Sequence, residues 1–195
     1  MTERRSQLIQ IVRSRGLQYH ETRVQLASGK LSHYFVDGKR ALRAGRDLVV
    51  AGEALLELAH ELGIDFDAVG GLTNGADHLA HIAAVLGDKE WFFVRKQAKD
   101  RGTRQRVEGA ILGSKARVLL VDDVVTSGGS IVEALTEIEK TGASIVGAIA
   151  LVDRDEKAAL DFARRGIPYA ALVRYDDLGI PSVSDEPDAP RLAAG

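Results

Sequence analysis

Two adjacent acids, Asp122 and Asp123, stand between an apolar run and a loop of hydroxyls and glycines, and the rest of the 195-residue chain can be read around them. Carboxylates there can accept hydrogen bonds from sugar hydroxyls and favour a nearby positive charge. Val124, Val125, Thr126, Ser127, Gly128, Gly129 and Ser130 follow, offering hydroxyls and approachable backbone N–H groups. Ile131, Ala134, Leu135 and Ile138 then recur at helical spacing, so the loop opens a helix, where backbone donors make a phosphate site. Val118 to Val121 is continuously apolar, as in a parallel strand covered on both faces. The acids are expected just past that strand, where open α/β sheets bind ligands. A phosphate cradle preceded by two acids suits a sugar phosphate better than a nucleoside triphosphate. The plainer alternative is an ordinary strand–turn–helix with acids near its N-cap.

A second stretch, residues 95–106, is dense in cations: Arg95, Lys96, Lys99, Arg101, Arg104 and Arg106. It has few apolar anchors and reads as a surface loop; beside a polyanion site it makes a lid. No aromatics interleave these cations, which argues against an RNA-binding arm. Gly70-x4-Gly75 lacks the lysine of a nucleotide P-loop, and no dinucleotide fingerprint occurs. The five histidines form no evident metal set.

The elements that position these groups follow from periodicity. A helix is expected over 3–15, ended by Gly16, then two short strands joined at Ser28-Gly29. A helix over 46–62 shows Leu48, Val49, Ala51, Leu55, Leu58, Ala59 and Leu62 on one stripe. Strand 68–71, helix 77–86 (apolar at Leu79, Ile82, Ala83 and Leu86) and strand 91–94 precede the cationic loop. Strand 145–152, a helix with Ala158, Leu160, Phe162 and Ala163, and strand 168–173 follow the central motif. The tail from Asp176 is expected to run loosely over the surface. Alternating β and α elements predict an α/β fold, a mainly parallel sheet flanked by helices, in a single domain over 1–195. The segment 1–40 makes a small appendage, 41–175 the core and 176–195 the tail. The net charge of −2 gives no argument for nucleic acid; the lack of cysteine excludes disulfides; no apolar run reaches membrane-spanning length. A cytoplasmic protein with neither nucleic-acid nor membrane partners is expected.

Over nearly its whole length the chain resembles the orotate phosphoribosyltransferases, a branch of the type I phosphoribosyltransferases. Arg117 to Ser130 resembles the motif that binds 5-phosphoribosyl 1-pyrophosphate (PRPP). Ser28 to Asp37 resembles the hood segment, Gly71 to Ala80 the pyrophosphate loop, and Phe93 to Gly109 the catalytic lysine loop. Leu151 to Arg154 resembles the strand end carrying the orotate arginine. The resemblance implies the type I phosphoribosyltransferase fold with an N-terminal hood. It also implies a glycosyltransferase of pyrimidine (UMP) biosynthesis, joining orotate to PRPP with Mg²⁺ to give orotidine 5′-monophosphate and pyrophosphate. It casts Lys99, Asp122 and Asp123 as catalytic. PRPP would be bound by Arg95, Lys96, Lys99, Arg101, Asp122, Asp123 and Val124 through Ser130, with Thr73, Asn74 and Gly75 in the pyrophosphate loop. Orotate would be held by Lys30, Phe35, Thr126 and Arg154. Mg²⁺ would be held mainly through substrate oxygens, with Asp123 a further ligand. The family habit also implies a homodimer whose loop 95–106 acts in trans. Three departures stand out: Leu31 where a lysine is common, Arg101 where a histidine is common, and no lysine in the pyrophosphate loop, whose Asp77 is expected to cap the next helix. Transfer to another base, or a non-catalytic PRPP-sensing regulator, are the competing readings.

Overall fold

The computed structural model describes residues 2–97 and 105–186. Helix α1 (Glu3–Ile11) starts at Thr2, whose hydroxyl accepts from the Arg5 amide, and buries Leu8, Ile9 and Ile11. One wider turn, Val12–Gly16, leads into β1 (Leu17–Gln25) and β2 (Leu31–Val36), an antiparallel pair forming a sheet of its own. This pair is the hood, and it turns at Ser28-Gly29 as the sequence predicts. A single helical turn, α2 (Gly38–Ala41), is capped by Asp37. Helix α3 (Gly45–Glu61) follows, then β3 (Ala68–Leu72), α4 (Asp77–Gly87) and β4 (Glu90–Val94). A three-residue strand, β5 (Val107–Gly109), precedes the long β6 (Arg117–Val125), helix α5 (Gly129–Glu139) and β7 (Ser144–Asp153). Helix α6 (Lys157–Arg164) and β8 (Tyr169–Arg174) complete the core.

The main sheet has the order β5-β4-β3-β6-β7-β8, parallel throughout except for β5. Side chains alternate across it, as strands require. Leu119 and Val121 pack with α1, α3 and α4, while Val118 and Leu120 pack with α5 and Phe162 of α6. That two-sided burial explains the unbroken apolar run.

Four expectations need correction. Asp122 and Asp123 lie within β6, not beyond it. The partner strand β7 is long enough to pair as far as Val124 with Val152 and Val125 with Asp153. Pairing with β3 stops at Gly70 opposite Leu120, so the acid pair lies beyond the paired part of β3. Val49, Leu62, Leu86 and Leu160 are exposed, although helical spacing put them on apolar faces. The faces that α3, α4 and α6 bury are narrower than their apolar stripes, and Leu62 and Leu86 fall at helix ends. Strand β5, too short to show a period, was not expected. The tail is not loose at its start: Leu178, Ile180, Ser182 and Val183 are buried, and the Val183 amide donates to the Arg154 carbonyl at 2.9 Å.

Candidate active site

From β3 the chain goes on to β4 at one side of the sheet; from β6 it goes to β7 at the other. The loops that leave β3 and β6 therefore diverge, and a crevice opens between them at the strands' carboxyl ends. Gly75 closes the distance across it. A Cβ there would lie 2.6 Å from Asp122 Oδ1 and 2.8 Å from Asp123 Oδ1, so the loop touches the acid pair only because the side chain is missing. Gly75→Ala is expected to push both carboxylates aside and lower kcat/KM at least about tenfold, since small misplacements are costly at a reacting centre. Its thermal midpoint should stay close to wild type, because carboxylate tips rather than backbone must yield. Loss of stability with unaltered kcat/KM in the folded fraction would contradict this. Thr73 of the same loop donates its hydroxyl to Asp77 Oδ2 at 2.7 Å. Asp77 therefore braces the loop and does not cap α4, whose N-cap is Ala76 without a side-chain bond.

Asp122 is buried, and its Oδ1 accepts from the Asp123 amide at 3.0 Å. Burial, helped by the charge of Asp123, pushes its carboxyl up to about 7. A shift of that size corresponds to about 4 kcal/mol. The four apolar residues before it, Val118 to Val121, are fully buried, at about 1.5–3 kcal/mol each, and can offset that cost. Asp123 Oδ1 accepts from the Val124 amide at 2.8 Å, and Oδ2 accepts from Lys39 Nζ at 2.9 Å. Burial pulls the Lys39 ammonium down, but Asp123, Asp37 and Asp122 together raise it. Lys39, on α2, was not foreseen from the sequence; its place two residues after Asp37 in the hood segment was the available signal. His78 also neighbours this charge cluster. Burial lowers its pKa, and its Nε2 has no hydrogen-bond partner among the described residues.

Two cavities flank the acids. The first, of about 70 Å³, is lined by Asp122, Val124 to Ser130, Ala27 and Ser28. It is several times the size one water needs. Gly128, at φ +78°, turns the chain so that α5 begins at Gly129 with its N-terminus at this cavity. The buried Ser28 hydroxyl has no partner among the described residues and is a second donor that the sequence did not single out. The second cavity, of about 380 Å³, is walled by Phe35, Asp123, Val124, Thr126, Lys39 and Arg154, with Leu26 and Ala27. The structure thus brings Phe35, Thr126 and Arg154 together at one cavity. Lys30 is not part of that wall; its ammonium donates to Ser184 of the tail at 3.3 Å.

The cationic loop enters and leaves as a closed pair, with the Arg95 amide donating to the Arg106 carbonyl at 2.7 Å. Arg95 meets Glu108 of β5 at 2.6 Å, and Arg106 is held by Glu133 and, at 2.8 Å, by Glu137 of α5, so both cations are already paired. Lys96 is near enough to the acid pair for its charge to favour ionised Asp122. Lys99 and Arg101 lie outside the described residues. No group of three or more His, Cys, Asp or Glu among the described residues could hold a metal ion. No helix there is long and apolar enough to cross a membrane.

Against known proteins, residues 44–165 match the phosphoribosyl transferase domain. The orotate phosphoribosyltransferase of Streptomyces avermitilis is 39% identical over 92% of this chain and all of that protein. The chain belongs to the orotate phosphoribosyltransferase family. Solved orotate phosphoribosyltransferases agree in fold. That of Mycobacterium tuberculosis H37Rv in complex with Fe(III) dicitrate is 33% identical with a TM-score of 0.76, covering 91% of this chain and 99% of that one. A structure of the same mycobacterial enzyme with PRPP is 31% identical with a TM-score of 0.73, covering 91% and 99%. The type I phosphoribosyltransferase fold read from the sequence is therefore the fold of this chain.

Proposed function

We propose that the protein transfers the phosphoribosyl group of PRPP to orotate, releasing pyrophosphate and forming orotidine 5′-monophosphate for pyrimidine biosynthesis. The observation that carries this is the junction of three parts at one acid pair: a phosphate-sized cleft, a glycine loop against the carboxylates, and a cavity ending at a buried arginine. Family membership and the PRPP complex of the mycobacterial relative support it.

In this reading Val124 through Ser130 take the 5′-phosphate on backbone N–H groups and hydroxyls, with the Ser28 hydroxyl as an added donor. Asp122 and Asp123 accept from the ribose hydroxyls. The bond from ribose C1 to pyrophosphate loosens first, and positive charge grows on the sugar. The carboxylates beside it become more stabilising as that happens, so they favour the transition state over the ground state. Thr73, Asn74 and Gly75 receive the departing pyrophosphate, joined by Lys96, Lys99 and Arg101 of the lid. Arg95 joins them once it exchanges Glu108 for phosphate oxygens. Orotate N1 then bonds to C1, its ring against Phe35 and Thr126 and its carboxylate at Arg154. Lys39 holds Asp123 until the sugar hydroxyls arrive.

The donor set suits a Mg²⁺ ion that enters on PRPP oxygens, with one carboxylate such as Asp123 from the protein, because magnesium retains waters and substrate phosphates. The ion neutralises pyrophosphate charge when bound. A homodimer with the 95–106 loop reaching across is also part of the proposal. It is supported by exposed apolar side chains outside the core: Val85, Trp91 and Ile111 are exposed, with Trp91 edge-on to His81 at 4.5 Å. PRPP is a polyanion that does not cross lipid unaided, which supports action in the cytoplasm.

The test is direct. Protein, orotate, PRPP and Mg²⁺ are mixed, and orotate's ultraviolet absorbance is followed. A fall in absorbance dependent on both substrates is expected. Turnover with another base but none with orotate would overturn the substrate assignment, and PRPP binding without any turnover would favour a regulator.

A further inference from the structure

Arg154 is the largest of the fully buried side chains, yet it is a cation and only partly satisfied. Its Nη1 donates to the Tyr34 carbonyl at 2.9 Å and its Nη2 to Ser32 Oγ at 3.4 Å. Its Nε has no partner among the described residues, and the side chain helps wall the cavity that also meets Thr126 and Asp123. Among the described residues one carboxylate approaches the guanidinium within 4 Å: Glu186, at 3.7 Å from Nη2. Glu186 is itself almost fully buried and accepts from Ser32 Oγ at 2.6 Å. It is not part of the cavity wall. The chain that delivers it is anchored to the same two elements: Val183 to the Arg154 carbonyl, Ser184 to Asp155 at 2.6 Å, and Lys30 of the hood to Ser184.

We infer that Glu186 is a positioning residue for base recognition: with Ser32 and the tail it holds the Nη2 end of Arg154, and so fixes the guanidinium where it walls the cavity that takes the substrate carboxylate. The inference rests on the proposed orotate activity. A guanidinium presents five donors in a rigid fork, so fixing one edge fixes the aim of the other. Burial disfavours the charged guanidinium, and Glu186 is the stronger of the two carboxylates that oppose this, ahead of Asp155. Without it the buried cation would seek water or a new partner, and the hood strand β2 would lose its tie to the tail. A group fixed by such outer contacts is what makes a recognition site stiff.

Glu186→Ala and Glu186→Gln are compared with wild type in steady-state assays that vary orotate and PRPP separately, alongside thermal melts. Glu186→Ala should raise KM for orotate about tenfold or more, the scale of losing a bond to a charged group. KM for PRPP should stay within about twofold, since among the described residues no hydrogen bond or ion pair joins its loops to the tail. Glu186→Gln keeps the volume and an acceptor for Ser32, so it should fall between wild type and Glu186→Ala and guards against simple unfolding. An unchanged orotate KM in both variants would overturn the inference, as would equal rises in both KM values. A lower orotate KM would overturn it too, because the tail carboxylate would then compete with substrate for Arg154. Wild-type turnover separates the two levels: no orotate turnover in the parent protein removes the activity reading and this inference with it, whereas normal parent kinetics with unmoved variants removes only the inference.

Discussion

Asp123→Asn is expected to lower kcat with orotate and PRPP by at least about a hundredfold while the protein remains folded, a loss equal to about 2.7 kcal/mol of transition-state stabilisation. The substitution keeps the shape and an oxygen for the Val124 amide, which Asp123 Oδ1 now holds at 2.8 Å. It removes the negative charge that pairs with Lys39 and faces the crevice. A unit charge about 4 Å from a developing cation is worth about 4 kcal/mol at the dielectric of a partly exposed site, so the expected loss lies within what the charge can supply. Because that charge matters most once the sugar becomes cationic, kcat and kcat/KM should fall together. Stability should hold or rise: the charge of Asp123 is one reason the buried Asp122 carboxyl is pushed upward, and neutralising it removes that repulsion. Thermal melts with steady-state assays decide. A variant within tenfold of wild type would remove Asp123 from the catalytic role, and a large fall in melting temperature would point to a structural one.

The parts of this site that were legible in the sequence are those where one local pattern carries the function. Val118 to Val121 reads as a strand because both faces of β6 are covered, and Thr126 to Ser130 reads as a cradle because hydroxyls and glycines cluster before a helical period. Arg154 was picked out only through the resemblance of Leu151 to Arg154 to the family's strand end. The extent of β6 was not legible: the acids interrupt the apolar run, and only the length of the neighbouring β7 shows that pairing continues past them. Lys39 sits on a single helical turn, which has no period to detect, and it reaches Asp123 from 84 residues away. Ser28 looked like a turn residue because its orphaned hydroxyl acquires meaning only opposite the cradle. Glu186 lies in a segment whose composition is polar and proline-bearing, the usual marks of a loose tail. Buried Ile180 and Val183 anchor that segment through contacts that no local pattern encodes. Arg95 and Arg106 illustrate the opposite limit, since sequence showed their charges but not that Glu108, Glu133 and Glu137 pair with them.

Mixing two inactive variants should regenerate activity if the cationic loop acts across a dimer. Lys99→Ala alone is expected to lower kcat by at least about a hundredfold, the scale of losing one preorganised charge at a departing polyanion. Lys99 lies outside the described residues, so its assignment rests on the lysine-loop resemblance, and function is the means of testing it. In a dimer with loops exchanged, a hybrid of Lys99→Ala with Asp123→Asn has one site carrying both lesions and one carrying neither. Random exchange of equal amounts makes half of the dimers hybrids, and recovery should approach about a quarter of the wild-type rate per site. If each loop serves its own protomer, every site in the hybrid keeps one lesion and the mixture stays as inactive as its components. Subunit exchange is verified independently with differently tagged protomers, so that absence of recovery counts against the crossing loop and not against mixing. The same preparation tests the exposed apolar residues as the contact surface. Trp91→Glu, which replaces an exposed apolar ring by a charge, should abolish exchange and leave a monomer by sedimentation. Under a crossing loop that monomer must also be inactive, although every residue of the acid pair and the phosphate cleft is intact.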